Sequence, residues 1–272
     1  MTTAHTLAAQ GLSLGYDDRD IVTGLDFAVP QGKLTVIIGA NASGKSTLLR
    51  GLSRLLAPRA GTVLLNGKSI HALSTRQVAT IMGVLPQSPT APEGILVADL
   101  VARGRYPHQG WFRRPSHDDD LAVAAALAAT DMADFADQPV DALSGGQRQR
   151  VWIAMALAQG TDLLLLDEPT TFLDIHHQVE VLDLLTDLVR SAGRTVVVVL
   201  HDLNLACRYA DHIVAMKEGR LVAEGAPSAV VTEALVAEVF NLAARVVPDP
   251  VSGTPLIVPI GRHHAGDTAA QP

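Results

Sequence analysis

Cysteine is almost absent: Cys207 is the only one in 272 residues, so no internal disulfide can form, which fits a reducing compartment. Long apolar runs are missing as well. The longest, over 121–129, 151–158 and 196–200, fall far short of the roughly 18 residues that a membrane-spanning helix needs. Residues 1–10 carry no Lys or Arg ahead of an apolar core, so they do not read as a secretory signal. Basic residues are a minority, 21 against 28 acidic ones for a net charge of −7, which argues against a chain that coats nucleic acid. No fixed-period repeat or low-complexity block occurs apart from a Gly/His/Ala-rich tail after residue 260, which reads as poorly ordered. What is present is a globular balance, 48% hydrophobic and 18% charged, which excludes global disorder. The length allows one large domain or two small ones at about 150 residues each.

Two stretches carry strand signals. The first has a β-branched run over 35–38, a glycine-rich turn, a helix over 46–56 and a strand over 62–65. The second has an apolar strand over 163–166, a helix with Val181, Leu184, Leu185 and Leu188 on one face, and a buried-type strand over 195–200. Strand, helix, strand in succession predicts a parallel sheet for both, hence an α/β fold. Between them, residues from about 90 to 160 are rich in Ala and Leu and read as a helical insert. Ser116 and Asp119 open one of its helices as a capping box, which makes the acidic run 118–120 structural. Near the end, 213–216 and 221–224 flank Lys217–Arg220 as a hairpin, with Gly219 supplying positive φ.

Three segments carry chemistry. Gly39-Ala40-Asn41-Ala42-Ser43-Gly44-Lys45-Ser46 fits the phosphate-loop pattern and lies between a predicted strand and a predicted helix. Backbone N–H groups at a helix start can cradle phosphates, Lys45 adds a point charge, and the Ser46 hydroxyl can ligate Mg²⁺. The strand 163–166 ends in Asp167 and Glu168, two carboxylates at the edge where ligands of parallel sheets bind. Asp167 suits the Mg²⁺ shell, and Glu168 suits a water that attacks a γ-phosphate. Leu143-Ser144-Gly145-Gly146-Gln147 places a serine cap and two glycines at a helix start, a second anion site.

With these segments in hand, the chain resembles the ATP-binding subunits of ABC transporters from about residue 7 to 262. Gly39 to Thr47 matches the Walker A loop, 163–168 the Walker B strand, and 143–147 the family signature. The resemblance implies one domain over about 1–262: a P-loop NTPase (RecA-like) core at about 1–88 and 160–240, mostly parallel with added antiparallel strands. It also implies a helical subdomain at about 89–159, a C-terminal extension at about 241–262 and a tail over 263–272. By the same likeness Tyr16 stacks on adenine, Gln87 belongs to the Q-loop beside the metal, Asp174 to the D-loop, and His201 to the switch that touches the γ-phosphate. Two subunits of this family meet head to tail, so the cofactors ATP and Mg²⁺ lie between Lys45 of one and Ser144 of the other. The loop departs from the common form at Ala40, usually proline, and Ala42, usually glycine. Alanine resists positive φ; the loop is expected to tolerate it because Gly39 and Gly44 remain.

Finer likeness points to ferric-siderophore importers of the ferric enterobactin type, through 102–109, 170–175 with His177 and Gln178, and 249–256. That implies separate membrane permease subunits, a substrate-binding protein, a second motor copy and a place on the cytoplasmic face of the membrane, with no nucleic acid partner. Vitamin B12, haem and zinc importers have similar motors. Arg103, Arg105, Tyr106, Trp111, Phe112, Arg113 and Arg114 form a basic and aromatic cluster, expected to face the permease rather than nucleic acid. His176 and Glu180 are read as a polar helix face and not a metal pair. The rival reading is a soluble ABC-type ATPase acting on DNA, ribosomes or Fe–S assembly; repair and translation types usually carry long coiled-coil inserts or two cassettes, for which these 272 residues have no room. A GTP switch would need an Asn-Lys-x-Asp stretch, which is absent.

Overall fold

The computed structural model describes residues 5–109 and 116–263. Two long strands, β1 (Leu7–Tyr16) and β2 (Arg19–Ala28), pair antiparallel. Next come β3 (Leu34–Gly39), buried at every residue, and α1 (Lys45–Leu52), with the phosphate loop between them. β4 (Ala60–Leu65), β5 (Lys68–Ser69), α2 (Thr75–Ile81) and β6 (Met82–Leu85) lead to the helical insert. That insert holds α3 (Val97–Ala102), α4 (His117–Ala129) and α5 (Gly145–Ala158), with only an isolated bridge between Leu96 and Pro139 among the described residues. β7 (Leu163–Asp167), α6 (Ile175–Ala192), β8 (Thr195–Val199) and α7 (Leu203–Tyr209) follow. β9 (His212–Lys217) and β10 (Arg220–Gly225) form a hairpin. The described chain closes with α8 (Pro227–Val230), α9 (Glu233–Phe240), β11 (Ala244–Pro248) and β12 (Pro255–Pro259).

A six-stranded sheet forms the centre in the order β10-β9-β3-β8-β7-β6, parallel throughout except for β10. Its inner strands are continuous Val, Ile and Leu because both faces are covered. One face packs on α6 and the helical insert, and the other on α1 and the four-stranded antiparallel sheet β2-β1-β4-β5.

The first predicted parallel unit is corrected. β4 does not join β3 but pairs antiparallel with β1, Leu7 opposite Leu65 and Ala9 opposite Val63. Its burial alternates, with Val63 and Leu65 inside and their neighbours partly exposed, as a strand with one wet face requires. α1 also stops earlier than predicted: Arg54 turns left-handed at φ 66° and Leu56 N–H bonds the Arg50 carbonyl, closing the helix end. On α6 the deeply buried stripe is Val181, Leu182, Leu185 and Val189, while Leu184 and Leu188 are partly buried. The hairpin turn matches expectation, with Glu218 and Gly219 at φ 47° and 75°.

Arg105 ties the helical insert together from inside, so it does not belong to an outward basic patch. Its Nε donates to Asp119 Oδ1 at 2.8 Å and its Nη1 to the Ala158 carbonyl at 2.8 Å, with the two side chains 13% and 9% exposed. His108 Nε2 lies 2.6 Å from the Gln159 carbonyl, so two ring or guanidinium groups serve the end of α5, where carbonyls lack partners. Gly104 permits this packing, since a Cβ there would sit 2.3 Å from the Met155 carbonyl oxygen. The capping box is as predicted: Ser116 Oγ accepts from Asp119 N–H and Asp119 Oδ2 accepts from Ser116 N–H. The Ser116 N–H and then Arg105 hold the Asp119 carboxyl down at about 2. Trp111, Phe112, Arg113 and Arg114 lie outside the described residues.

Arg105→Ala leaves the Asp119 charge without its guanidinium partner and held by the Ser116 cap, so urea unfolding followed by tryptophan fluorescence should show a loss of about 3 kcal/mol. Because the Asp119 carboxyl is depressed in the folded chain, its contribution is complete above its ordinary value of 3.8 and is lost as pH falls toward about 2. Arg105→Ala should therefore weaken the acid limb of the stability curve, leaving the share held by the Ser116 N–H, and an unchanged limb would contradict the pairing.

Candidate active site at the carboxyl edge of the central sheet

Parallel neighbours end together. Ile37 of β3 and Asp167 of β7 both lie opposite Val199 of β8, so the residues that follow these strands emerge side by side. They are the phosphate loop after β3, Glu168 after β7 and His201 just beyond β8. An open cleft of about 570 Å³ lies at this edge, lined by Tyr16, the loop from Asn41 to Thr47, Gln87, Glu168 and His201.

The loop is shaped by contacts that other side chains would block. A Cβ at Gly39 would come within 2.4 Å of the Met216 carbonyl oxygen, and Gly44 stands at φ 99°. Ala42 does adopt the left-handed conformation, at φ 63°. The expected tolerance therefore rests on bracing and not on avoidance of positive φ: Ser43 N–H bonds the Ala40 carbonyl, and Gly219 N–H, at the tip of the β9–β10 hairpin, bonds the Ser43 carbonyl at 2.9 Å. Lys45 Nζ folds over the loop and donates to the Gly39 and Ala40 carbonyls at 2.9 and 3.0 Å. Burial lowers its pKa, while Glu168 and Asp167 oppose that effect. Ser43 Oγ is buried without a partner, an orphan that a phosphate oxygen would satisfy.

Ser46 Oγ donates to Asp167 Oδ1 at 3.0 Å. Burial raises the Asp167 pKa, the Ser46 hydroxyl pulls it back, and Glu168 adds to the rise. A buried carboxylate and a hydroxyl at one point are oxygen donors that suit a hard divalent cation. Glu168, at φ 54° and 7% exposed, is gripped from several sides. Its Oε2 accepts from Gln87 Nε2 at 2.9 Å and from Thr171 Oγ1 at 3.3 Å, and its Oε1 lies 2.6 Å from His201 Nε2. Tyr16 stands at the cleft mouth, its hydroxyl accepting from Arg50 Nη1 at 3.0 Å.

The remaining predicted residues are elsewhere. Ser144 caps α5 through a reciprocal box with Gln147, and Gly145 and Gly146 lie beside Phe172 and Leu173. Asp174 caps α6 through His177 N–H and also lies 2.7 Å from His177 Nδ1. Neither the 144–147 segment nor Asp174 lines the cleft. His176 and Glu180 pair at 3.2 Å on an exposed helix face. No group of three metal-ligating side chains occurs among the described residues. Sequence reasoning missed Thr171, which lies beside the acidic pair, and Arg19 and Ile21, whose place in the cleft wall no motif announces.

Fold and cleft together define a nucleotide-binding P-loop NTPase. The ABC transporter family profile matches residues 22–171. The achromobactin transport ATP-binding protein CbrD of Dickeya dadantii is 54% identical, covering 97% of this chain and 98% of that protein. The ferric enterobactin transport ATP-binding protein FepC of Escherichia coli is 52% identical over 94% of each. Among solved structures, an ABC transporter assigned to the metal-chelate type, in an inward-facing conformation, superposes with a TM-score of 0.81 at 28% identity, covering 95% of this chain and 99% of that one. The chain belongs to the ABC transporter family, as one of its ATP-binding ATPase subunits.

A left-handed alanine costs about 1–2 kcal/mol, whereas glycine loses about 0.5–1 kcal/mol more than alanine on folding. Ala42→Gly should therefore raise stability by roughly 0.5–1 kcal/mol in urea unfolding. A clear loss would mean that Ala42 is not strained.

Proposed function

We propose that this chain is the ATP-hydrolysing motor of a bacterial importer for ferric siderophores, working on the cytoplasmic face of the membrane beneath separate permease subunits and a substrate-binding protein. The names of relatives more than 50% identical over nearly the whole chain support the siderophore class. No helix among the described residues is long and apolar enough to cross a membrane, which agrees with a pore formed by other chains.

One observation carries the catalytic reading: Glu168 stands beside the phosphate loop with both carboxylate oxygens engaged, by Gln87 and by His201. Lys45 is within reach of the loop and exchanges its carbonyl partners for β- and γ-phosphate oxygens. The N–H groups from Gly44 to Thr47 and the free Ser43 hydroxyl face the same charge. Ser46 and Asp167, with Gln87 nearby, would hold Mg²⁺, which when bound neutralises phosphate charge. Glu168 accepts a hydrogen bond from the attacking water and draws off its proton, while His201 and Gln87 hold the carboxylate in line. Tyr16 offers its face to the adenine.

Ser144, Gly145, Gly146 and Gln147 complete the site from a second copy. The capping box consumes the Ser144 and Gln147 N–H groups, which leaves those of Gly145 and Gly146 at the helix start for a γ-phosphate. Asp174 lies along the same seam. ATP touching both copies favours the closed pair by differential affinity, and loss of the γ-phosphate releases it.

Glu168→Gln should keep ATP affinity and lose hydrolysis by roughly a hundredfold or more, the scale for a transition-state group. Steady-state phosphate release by the purified variant decides: near-normal turnover rejects the role.

A further inference from the structure

The C-terminal hairpin β11–β12 lies outside the cleft, yet it grips the helix that follows His201. α7 is seven residues long, too short to hold its own geometry without tertiary support. Its first turn is tied to the switch: Asp202, the residue after His201, caps it by accepting from Asn204 and Leu205 N–H at 2.8 and 2.9 Å. Leu205, Ala206 and Cys207 bury one side of the helix, but apolar contact is non-directional, and at its far end the Tyr209 hydroxyl donates to Asp183 Oδ1 of α6 at 2.9 Å, which leaves the turns nearer His201 to be oriented from elsewhere.

Two directional grips come from the hairpin. Asn204 and Arg208 stand four residues apart on one face. The Asn204 amide pairs with the backbone of Ile257 in β12, accepting from its N–H at 2.7 Å and donating to its carbonyl at 3.3 Å. Arg208 Nη2 meets Asp249 Oδ2 at 2.6 Å, and Asp249 is 3% exposed. Asp249 Oδ1 also accepts from Val251 and Ser252 N–H at 2.7 and 3.1 Å, which folds the hairpin turn around the same carboxylate. Arg208 and then those two amides hold the carboxyl down at about 2, so it stays ionised at working pH.

We propose that Asn204, Arg208 and Asp249 are positioning residues for His201, and that the C-terminal hairpin is a splint that sets where the switch imidazole meets Glu168. His201 is half-exposed, so its placement depends on the chain on either side of it; β8 fixes one side and the splinted α7 the other. The catalytic half of this inference rests on the reading of His201 given above.

The test uses the full chain labelled with ¹³C-histidine, with the His201 Cε1 resonance assigned through His201→Gln, together with steady-state ATPase assays. Asp249→Ala should move the His201 resonance and leave those of His176 and His177 in place. It should lower kcat roughly tenfold, as for a slightly misplaced catalytic group, with KM for ATP unchanged. Arg208→Ala should act likewise and Arg208→Lys should recover most of the loss. In a His201→Gln background Asp249→Ala should add nothing, since both act through one group. An unmoved His201 resonance, or the same proportional loss in both backgrounds, overturns the proposal. If Asp249→Ala does not fold, Asn204→Ala, which removes only the Ile257 pair, gives the same readouts. Should His201→Gln leave kcat intact, the catalytic reading of His201 fails, and the resonance alone then decides the splint.

Discussion

The hydrogen bond between Ser46 and Asp167 is the join on which the site depends. It links the start of α1 to the end of β7 across the intervening strand β8, and it exists because parallel strands end at one edge. Asp167 is buried and its ionised form is disfavoured there, so the carboxylate gains most from a cation that Ser46 can share. Glu168, one residue on, is turned by its positive φ toward Gln87 and His201. The groups proposed for cation binding and for hydrolysis thus sit on consecutive residues, with the backbone twist between them sending the two carboxylates to different partners.

The helical insert follows a different logic. Its signature helix presents Ser144 and the two glycines away from the chain's own cleft, and its far end is clamped by Arg105 and His108. The segment 102–109 thereby acts at the opposite end of α5 from the signature. A rigid helix held at its C-terminus can carry its N-terminus as a unit, as the proposed closure against a second copy would require.

Much of the site was legible because its chemistry is local in sequence. The phosphate loop, the acidic pair after an apolar strand and the capped signature helix each need adjacent residues of set types; the loop and Glu168 line the cleft, while the signature helix stands outside it. Contacts that depend on distant elements were less legible. β4 reads as a strand, but only its alternating burial, with Val63 and Leu65 inside, tells that it leaves the parallel sheet for β1. Arg105 looks like part of a basic patch until Asp119 and the end of α5 are folded against it. Ala42 hides its left-handed backbone because the bracing comes from Gly219, far along the chain. Thr171 falls within the 170–175 segment read for its likeness, but nothing in that segment announces its bond to Glu168.

The central claim is that Ser46 and Asp167 form one cation-holding pair for a bound nucleotide. Calorimetric titration of ATP with and without Mg²⁺ tests it most directly, comparing the native chain with Asp167→Asn. The account predicts that Mg²⁺ strengthens ATP binding to the native chain and loses that benefit in the variant, while metal-free ATP binds both alike. An undiminished Mg²⁺ benefit in Asp167→Asn would contradict it.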